Sequence, residues 1–356
     1  MPSPKTTPGQ TLRIIDANVN RIGEGLRLLE DIARLLLNDA ALTEQLKAMR
    51  HRLITGDLPF NQQLLQARDS EGDVGVDIKA TEQKKQRELP LMVVANSRRV
   101  QQSLRAIEEL AKTPELAARL NSERFKQARF ELYSIERKLF SKLLRQNKIK
   151  QISGLYAIID TQALKGRGHI EVASEIIRGG AKIIQLRDKL SSKKELLPIA
   201  QQLKELCEEH NVLFIVNDYL DLALAADADG LHLGQEDLPA EKARKLLPID
   251  KILGRSATTT EQAVAAAADG ADYIAVGSIY PSPTKENAHV IGLQGLRQIR
   301  EAVSLPLVAI GGITKDNAAE VIAAGASSVA VISAILQAES PREAARQIAD
   351  KLETSK

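Results

Sequence analysis

Val212-Leu-Phe-Ile-Val-Asn-Asp218, then an alanine- and leucine-rich segment from Tyr219 to Asp229, then Gly230-Leu-His-Leu-Gly-Gln-Glu-Asp237: two short apolar runs each close on acidic residues. Strand, helix, strand at this spacing makes a βαβ unit, whose parallel strands end on the same edge of the sheet. Asp218 and Asp237 are therefore expected as neighbours at the carboxyl ends of adjacent strands. One Asp after a strand reads as a helix cap or turn residue. Two on consecutive units, with Asn217 alongside, read as ligands for a hard cation such as magnesium.

The same alternation runs outward from this unit in both directions. Aliphatic runs occur at Leu155 to Asp160, Lys182 to Asp188, Val212 to Asp218, Gly230 to Gly234, Lys251 to Ala257, Asp272 to Ile279, Pro306 to Ile313 and Ser328 to Ala334. Amphipathic segments separate them, and a last helix is predicted from about Pro341 to Leu352. Near-continuous apolar strands in strict β-α alternation argue for a parallel sheet. Eight units in roughly 200 residues is the count and size of a (β/α)8 TIM barrel. A doubly wound open sheet is the alternative, but the glycine-rich fingerprint it carries after its first strand is missing.

A barrel of this kind places its active site at the carboxyl ends of the strands. The first strand ends in Asp160, expected to be exposed and without a role. In the second, Gln185, Arg187 and Lys189 alternate and so project to one side. The third and fourth supply Asn217, Asp218 and Asp237. The fifth ends in Gly254-Arg-Ser256-Ala-Thr258, the sixth runs into Pro281-Ser-Pro-Thr-Lys285, the seventh ends in Gly311-Gly-Ile-Thr314 and the eighth in Val331-Ile-Ser333. Glycines after the seventh strand and a helix start after the eighth form the usual phosphate seat of these barrels, at Gly312 and Ser333. The second anion region is a cluster of Asp218, Asp237, Arg187, Lys189 and Lys285. Two anion regions in one mouth point to two phosphorylated small-molecule substrates, one carrying a metal-bound diphosphate. His232, between Leu231 and Leu233, reads equally as a ligand contact and as filling of the barrel; His169, His210 and His289 read as loop or surface residues.

Six of these motifs in order, Gln185-Leu-Arg-Asp-Lys189, Asn217-Asp218, His232-Leu-Gly-Gln-Glu-Asp237, Ser282-Pro-Thr-Lys285, Gly311-Gly-Ile313 and Val331-Ile-Ser333, resemble the thiamine-phosphate synthase family from about Ile152 to the C-terminus. The resemblance implies condensation of hydroxymethylpyrimidine diphosphate with a thiazole phosphate carboxylate, giving thiamine phosphate and pyrophosphate. It implies Asp218 and Asp237 as magnesium ligands. Gln185, Arg187, Lys189, Asn217, Ser256 and Lys285 would hold the pyrimidine diphosphate, with Arg187, Lys189 and Lys285 assisting its departure. Ser282, Thr284, Gly312, Ile332 and Ser333 would hold the thiazole phosphate. The chain departs from the family with Ser282 in place of Thr and with Ser278-Ile-Tyr280 in place of Pro-Ile-Phe. No side chain is poised as nucleophile or strong base, and this reaction needs neither, because electrostatics and positioning carry it. A thiazole tautomerase-like barrel and a non-catalytic thiamine-precursor sensor are the alternatives.

From Thr11 to Lys148 the pattern is helical, with Ile22, Leu26, Leu29, Ala33 and Leu36 on one stripe and Val100, Leu104, Ile107 and Ala111 on another, the second helix starting about Arg98. Ala17-Asn18, Arg21, Leu26-Arg27, Glu30 and Ala33 are echoed by Ala95-Asn96, Arg99, Leu104-Arg105, Glu108 and Ala111, and Leu46-Lys47, Arg50 and Leu53 by Phe125-Lys126, Arg129 and Leu132. This reads as a duplicated helical hairpin packed as a bundle. Arg27/Glu30 and Arg105/Glu108 are expected as weak surface ion pairs, whereas Arg21 and Arg99 lie nearer the apolar stripe. Arg68 to Asp77 is an acidic connecting loop. The domains are read as 1–150, helical and without an assigned reaction, and 151–356, the barrel. For the first, an assembly or regulatory module with self-association is expected, with a second enzymatic step in thiamine supply as the rival reading.

Composition sets the outer bounds. With 49 basic and 46 acidic residues the net charge is +3, too balanced for a nucleic-acid binder. One cysteine, Cys207, allows no intrachain disulfide. The N-terminus has no apolar signal core and no run is long enough to cross a bilayer, so no membrane partner and a cytoplasmic location are expected.

Overall fold

The structure, a computed structural model, describes residues 8–54, 58–68, 88–282 and 289–354. The chain divides into two units, Met1–Leu144 and Arg145–Lys356.

The first unit is built from α1 (Pro8–Asp31), α2 (Ala40–Ile54), α3 (Leu58–Ala67), α4 (Leu89–Leu110) and α5 (Ser122–Lys150) as far as Leu144, the end of α5 belonging to the second unit. The fourth helix starts nine residues before the Arg98 suggested by periodicity, with Pro90 in its first turn, where a missing N–H costs nothing. The two apolar stripes meet: Ile22, Leu26 and Leu29 share one core with Val100, Leu104 and Ile107, closed by Leu46, Met49, Phe125 and Leu132. The repeat is visible in its ion pairs. Glu30 on α1 accepts from Arg50 on α2 at 2.9 Å, and Glu108 on α4 accepts from Arg129 on α5 at 3.0 Å.

These pairs correct the reading of Glu30 and Glu108 as surface residues. Arg27 reaches Asp31 rather than Glu30, and although Arg105 does meet Glu108 at 2.6 Å, both glutamates are buried. A helical spacing shows which residues share a face but not which face a second helix covers. Arg21 and Arg99, placed near the stripe by periodicity, are exposed. Glu108→Gln removes the charge that Arg129 and Arg105 share, and breaking a buried pair from one side leaves the other charge uncompensated. Because Arg105 is half exposed and also pairs with Glu109, the loss is discounted from that of a fully enclosed pair to about 2–4 kcal/mol, read as a lower urea midpoint for the helical unit.

The second unit carries β1 (Gly154–Asp160), β2 (Ile183–Arg187), β3 (Leu213–Asn217), β4 (Gly230–Leu233), β5 (Ile252–Ala257), β6 (Tyr273–Val276), β7 (Leu307–Ile310) and β8 (Ser328–Val331). They close in chain order into a parallel barrel, β8 returning to β1. The eight apolar runs all become strands, and the last helix is Pro341–Glu353. Alternation sorts each strand into two faces. Leu155, Ala157 and Ile159 face the helices, whereas Tyr156 and Ile158 face the barrel interior with Ile183, Leu213, Ile215, Ile252 and Tyr273.

The amino-terminal end of the barrel is closed by charge as well as by packing. Ile152 belongs to the interior cluster and Ile149 packs against it. Asp229 accepts from the Phe214 N–H at 3.1 Å, and Asp272 accepts from the Leu253 N–H at 2.9 Å. Both aspartates are neutralised from two sides, Asp272 by Arg145 at 2.9 Å and Arg244 at 3.2 Å, Asp229 by Lys148 and Lys204, each at 3.3 Å. Cys207 is buried among the helix-facing side chains, and burial pushes its thiol up to about 12, so it serves packing.

Candidate functional site

A cavity of about 960 Å³ opens at the carboxyl ends of the strands. Alternation decides what enters it. On β2 the inward series that begins at Ile183 continues through Gln185 to Arg187, and on β3 the series of Leu213 and Ile215 ends at Asn217. His232 and Ser256 occupy the equivalent faces of β4 and β5. Lys189, Asp218 and Asp237, just beyond the strands, line the same cavity, as do Ser282, Gly312, Ile332 and Ser333 on the opposite side. Thr284 and Lys285 lie outside the described residues.

The carboxylates found first in the sequence meet as expected. Asp218 and Asp237 are within hydrogen-bonding reach of each other, and the Lys189 ammonium lies 3.3 Å from Asp218. Burial, and then the facing Asp237 carboxylate, push Asp218 above the usual carboxylate range. Burial also acts upward on Asp237, but the bond with Asp218 and the Gly234 N–H at 2.7 Å hold it below that range. Asp218 has a φ of 63°, a left-handed conformation that Asp and Asn tolerate better than other residues. Two facing carboxylates, one resisting ionisation, form a donor set that fits a hard divalent cation. Among the described residues no third His, Cys, Asp or Glu joins them.

Asp160 is a correction. It is buried, and its two oxygens are divided: one accepts from the N–H groups of Gln162 and Ala163 at 3.0 and 3.3 Å, the other pairs with Arg187. Asp160 and Arg187 are register partners across β1 and β2, so strand pairing, not the Asp itself, would have revealed the contact. Asp188 was also unassigned. It accepts from the N–H groups of Leu190 and Ser191 at 2.7 and 2.8 Å, which fixes the turn presenting Lys189.

The region expected from the sequence as a second anion seat is one of close backbone approach. Gly312 has a φ of 64°, and a Cβ there would lie 2.5 Å from the Pro281 carbonyl oxygen. The helix after β8 spans only Ser333–Leu336, so it offers N–H groups rather than a summed dipole. Ser278 and Tyr280, the departures from the family pattern, are both partnered: Ser278 Oγ donates to the Tyr280 carbonyl at 2.7 Å, and the Tyr280 hydroxyl donates to Glu320. His169 bonds Thr161 at 2.9 Å, His210 is exposed, and His289 reaches the cavity rim.

His232 is buried and held at both nitrogens, Nδ1 at 3.1 Å from the Tyr273 hydroxyl and Nε2 at 3.0 Å from Ser256 Oγ. Burial lowers its pKa to about 4, against the pull of Asp237. Because the folded value is below the unfolded 6.5, stability is complete above pH 6.5 and is lost as pH falls toward 4. A shift of this size is worth about 3 kcal/mol. Melting temperature should fall between pH 7 and pH 4, and His232→Asn should flatten that part of the profile.

The thiamine monophosphate synthase family model matches residues 155–335. A thiamine-phosphate synthase of Synechocystis sp. is 38% identical over 349 residues, 98% of each chain. The chain belongs to the thiamine-phosphate synthase family. It is therefore an enzyme of thiamine phosphate synthesis. The thiamine-phosphate synthase of Methanospirillum hungatei is 50% identical over 198 residues, 55% of this chain and 96% of that one. The solved thiamine phosphate pyrophosphorylase from Pyrococcus furiosus is 42% identical with a TM-score of 0.54, covering 58% of this chain and 98% of that one. A second model, the ThiD2 family, matches residues 13–138. The synthase relatives of barrel length thus coexist with relatives such as that of Synechocystis, whose match also spans the helical unit. No helix among the described residues is long and apolar enough to cross a membrane.

Proposed function

We propose that the barrel joins 4-amino-2-methyl-5-(diphosphooxymethyl)pyrimidine to a thiazole phosphate carboxylate at this cavity, releasing pyrophosphate. The carrying observation is the facing pair Asp218 and Asp237, with Lys189 on Asp218, in the same cavity as Gly312 and Ser333. Asp218 and Asp237 would hold magnesium, which takes one or two carboxylates and leaves its other positions to water and substrate phosphate. Bound there, the metal would neutralise charge on the diphosphate. Arg187 and Lys189 add fixed cations on the same side, and Lys285 is assigned with them from the sequence alone. Gln185, Asn217 and Ser256 orient the pyrimidine end, and Ser282, Thr284, Gly312, Ile332 and Ser333 receive the thiazole phosphate.

In the reaction the bond from methylene carbon to diphosphate oxygen breaks and a bond from the same carbon to the thiazole nitrogen forms; the thiazole carboxylate then leaves as carbon dioxide, and the ring carbon that carried it takes a proton from water. The electron-rich ring stabilises positive charge on the methylene as the diphosphate leaves. The chain's groups bind, align and neutralise, and no proton has to be removed by a strong base. A thiazole tautomerase-like barrel would need no cluster for a diphosphate. Incubating the full chain with both substrates and magnesium, and following thiamine phosphate and pyrophosphate by chromatography, tests the reading. Equal amounts of both products are expected, and neither product would discard it.

A further inference from the structure

Gln185 on β2 and Ser256 on β5, three strands apart around the barrel, are joined by an unbroken series of side chains. Gln185 Nε2 donates to the Tyr156 hydroxyl at 2.6 Å. The Tyr156 and Tyr273 hydroxyls are 3.0 Å apart, and the series continues through Tyr273 to His232 and on to Ser256. Tyr156, Gln185, His232 and Tyr273 are all buried. His232, Gly254 and Tyr273 sit side by side in the register of β4, β5 and β6. The His232 and Tyr273 rings stack at 5.6 Å. Gly254 makes room for that meeting, since a Cβ there would lie 2.6 Å from His232 Nδ1.

Each phenol has one hydrogen to give, and a neutral imidazole has one N–H. The direction of one bond therefore sets all the others. With Gln185 donating to Tyr156, Tyr156 must donate to Tyr273, Tyr273 to His232 Nδ1, and His232 Nε2–H to Ser256. Gln185 is left with Oε1 as an acceptor and one further N–H, and Ser256 with a hydroxyl hydrogen to donate. Reversing the series would leave Gln185 presenting only donors and Ser256 only lone pairs.

We propose that Tyr156, Tyr273 and His232 are positioning residues whose one-directional hydrogen-bond series makes Gln185 present a carbonyl oxygen, and so selects a 4-aminopyrimidine over a 4-oxopyrimidine. This rests on the reading that the pyrimidine lies against Gln185. An amide reads an amino-azine edge with its oxygen on the exocyclic amine and its N–H on the adjacent ring nitrogen. A 4-oxo ring offers the opposite pattern, a carbonyl and a ring N–H. To accept it Gln185 must turn over, and every bond in the series must reverse or break. Discrimination is then a property of five residues rather than of one amide.

The probes are 4-amino- and 4-oxo-2-methyl-5-(phosphooxymethyl)pyrimidine, titrated calorimetrically into the full chain. The amino probe is expected to bind about 100-fold more tightly, within the range of a bidentate base contact. Tyr156→Phe frees Gln185 to turn, so the ratio should fall below about tenfold, with thiazole phosphate binding unchanged. Histidine-selective 15N NMR on the unaltered protein with the amino probe should show His232 protonated at Nε2 only. An Nδ1–H tautomer, or an unchanged ratio in a folded Tyr156→Phe protein, overturns the proposal. Gln185→Ala separates the two levels. If it weakens the amino probe while Tyr156→Phe leaves the ratio intact, the series is at fault; if it changes neither probe, the placement of the pyrimidine is wrong and the proposal falls with it.

Discussion

Asp218→Asn is expected to lower kcat/KM by on the order of 10³, the scale of losing one preorganised electrostatic partner of a leaving anion, while raising the magnesium concentration needed for half-maximal rate. Asparagine is the informative replacement. It keeps the shape and tolerates the left-handed backbone at φ 63°, where alanine would add strain of its own. The fold should not suffer. Asp218 is held above its ordinary pKa by burial and by Asp237, so its ionised form opposes folding once pH exceeds the unfolded value, and fully above the folded one. At neutral pH and without added metal, the neutral amide should leave the melting temperature unchanged or higher. Lost activity with a raised magnesium requirement supports the ligand assignment. Near-normal turnover at ordinary magnesium would remove it.

Asp160→Asn is expected to cost about 10- to 100-fold in kcat/KM, the range seen when a group that orients a functional side chain is removed. The amide oxygen can still accept from Gln162 and Ala163, so the local cap is retained. What disappears is the charge that holds Arg187. A guanidinium without that anchor samples more rotamers and is less aligned with a diphosphate, and Arg is effective on phosphate because its fork is fixed. The effect should fall on the pyrimidine diphosphate and leave KM for the thiazole phosphate unchanged. Equal changes in both KM values would point to a general loosening of the mouth instead.

The barrel was legible because its strands are buried on both faces and so stand out as eight apolar runs. Their ends were less so: the sixth run reads through Gly277 and Ser278 to Ile279, but the ladder stops at Val276, before that Gly-Ser pair. Asp218 and Asp237 could be read since two like residues at equivalent positions reinforce each other. Asp160 could not, because its meaning depends on Arg187 across the register. Tyr156 and Tyr273 were hidden differently. Within an apolar run a tyrosine reads as core, and only the placing of one hydroxyl against another shows that its oxygen is in use. In the helical unit the repeat was plain from matched residues, but burial of Glu30 and Glu108 required knowing which helix faces them.

The charges at the closed end of the barrel bear on where this catalytic unit can be cut free of its chain. The sequence boundary at residue 151 follows the change from helical to alternating pattern, but Arg145 and Lys148 precede it. A gene fragment begun at residue 151 would leave Asp272 and Asp229 with one cation each, beneath the strands β3 and β5, where they hold the N–H groups of Phe214 and Leu253. An excised barrel that retains its native anchoring must therefore begin no later than Arg145, inside what the sequence reads as the last turns of its neighbour's helix.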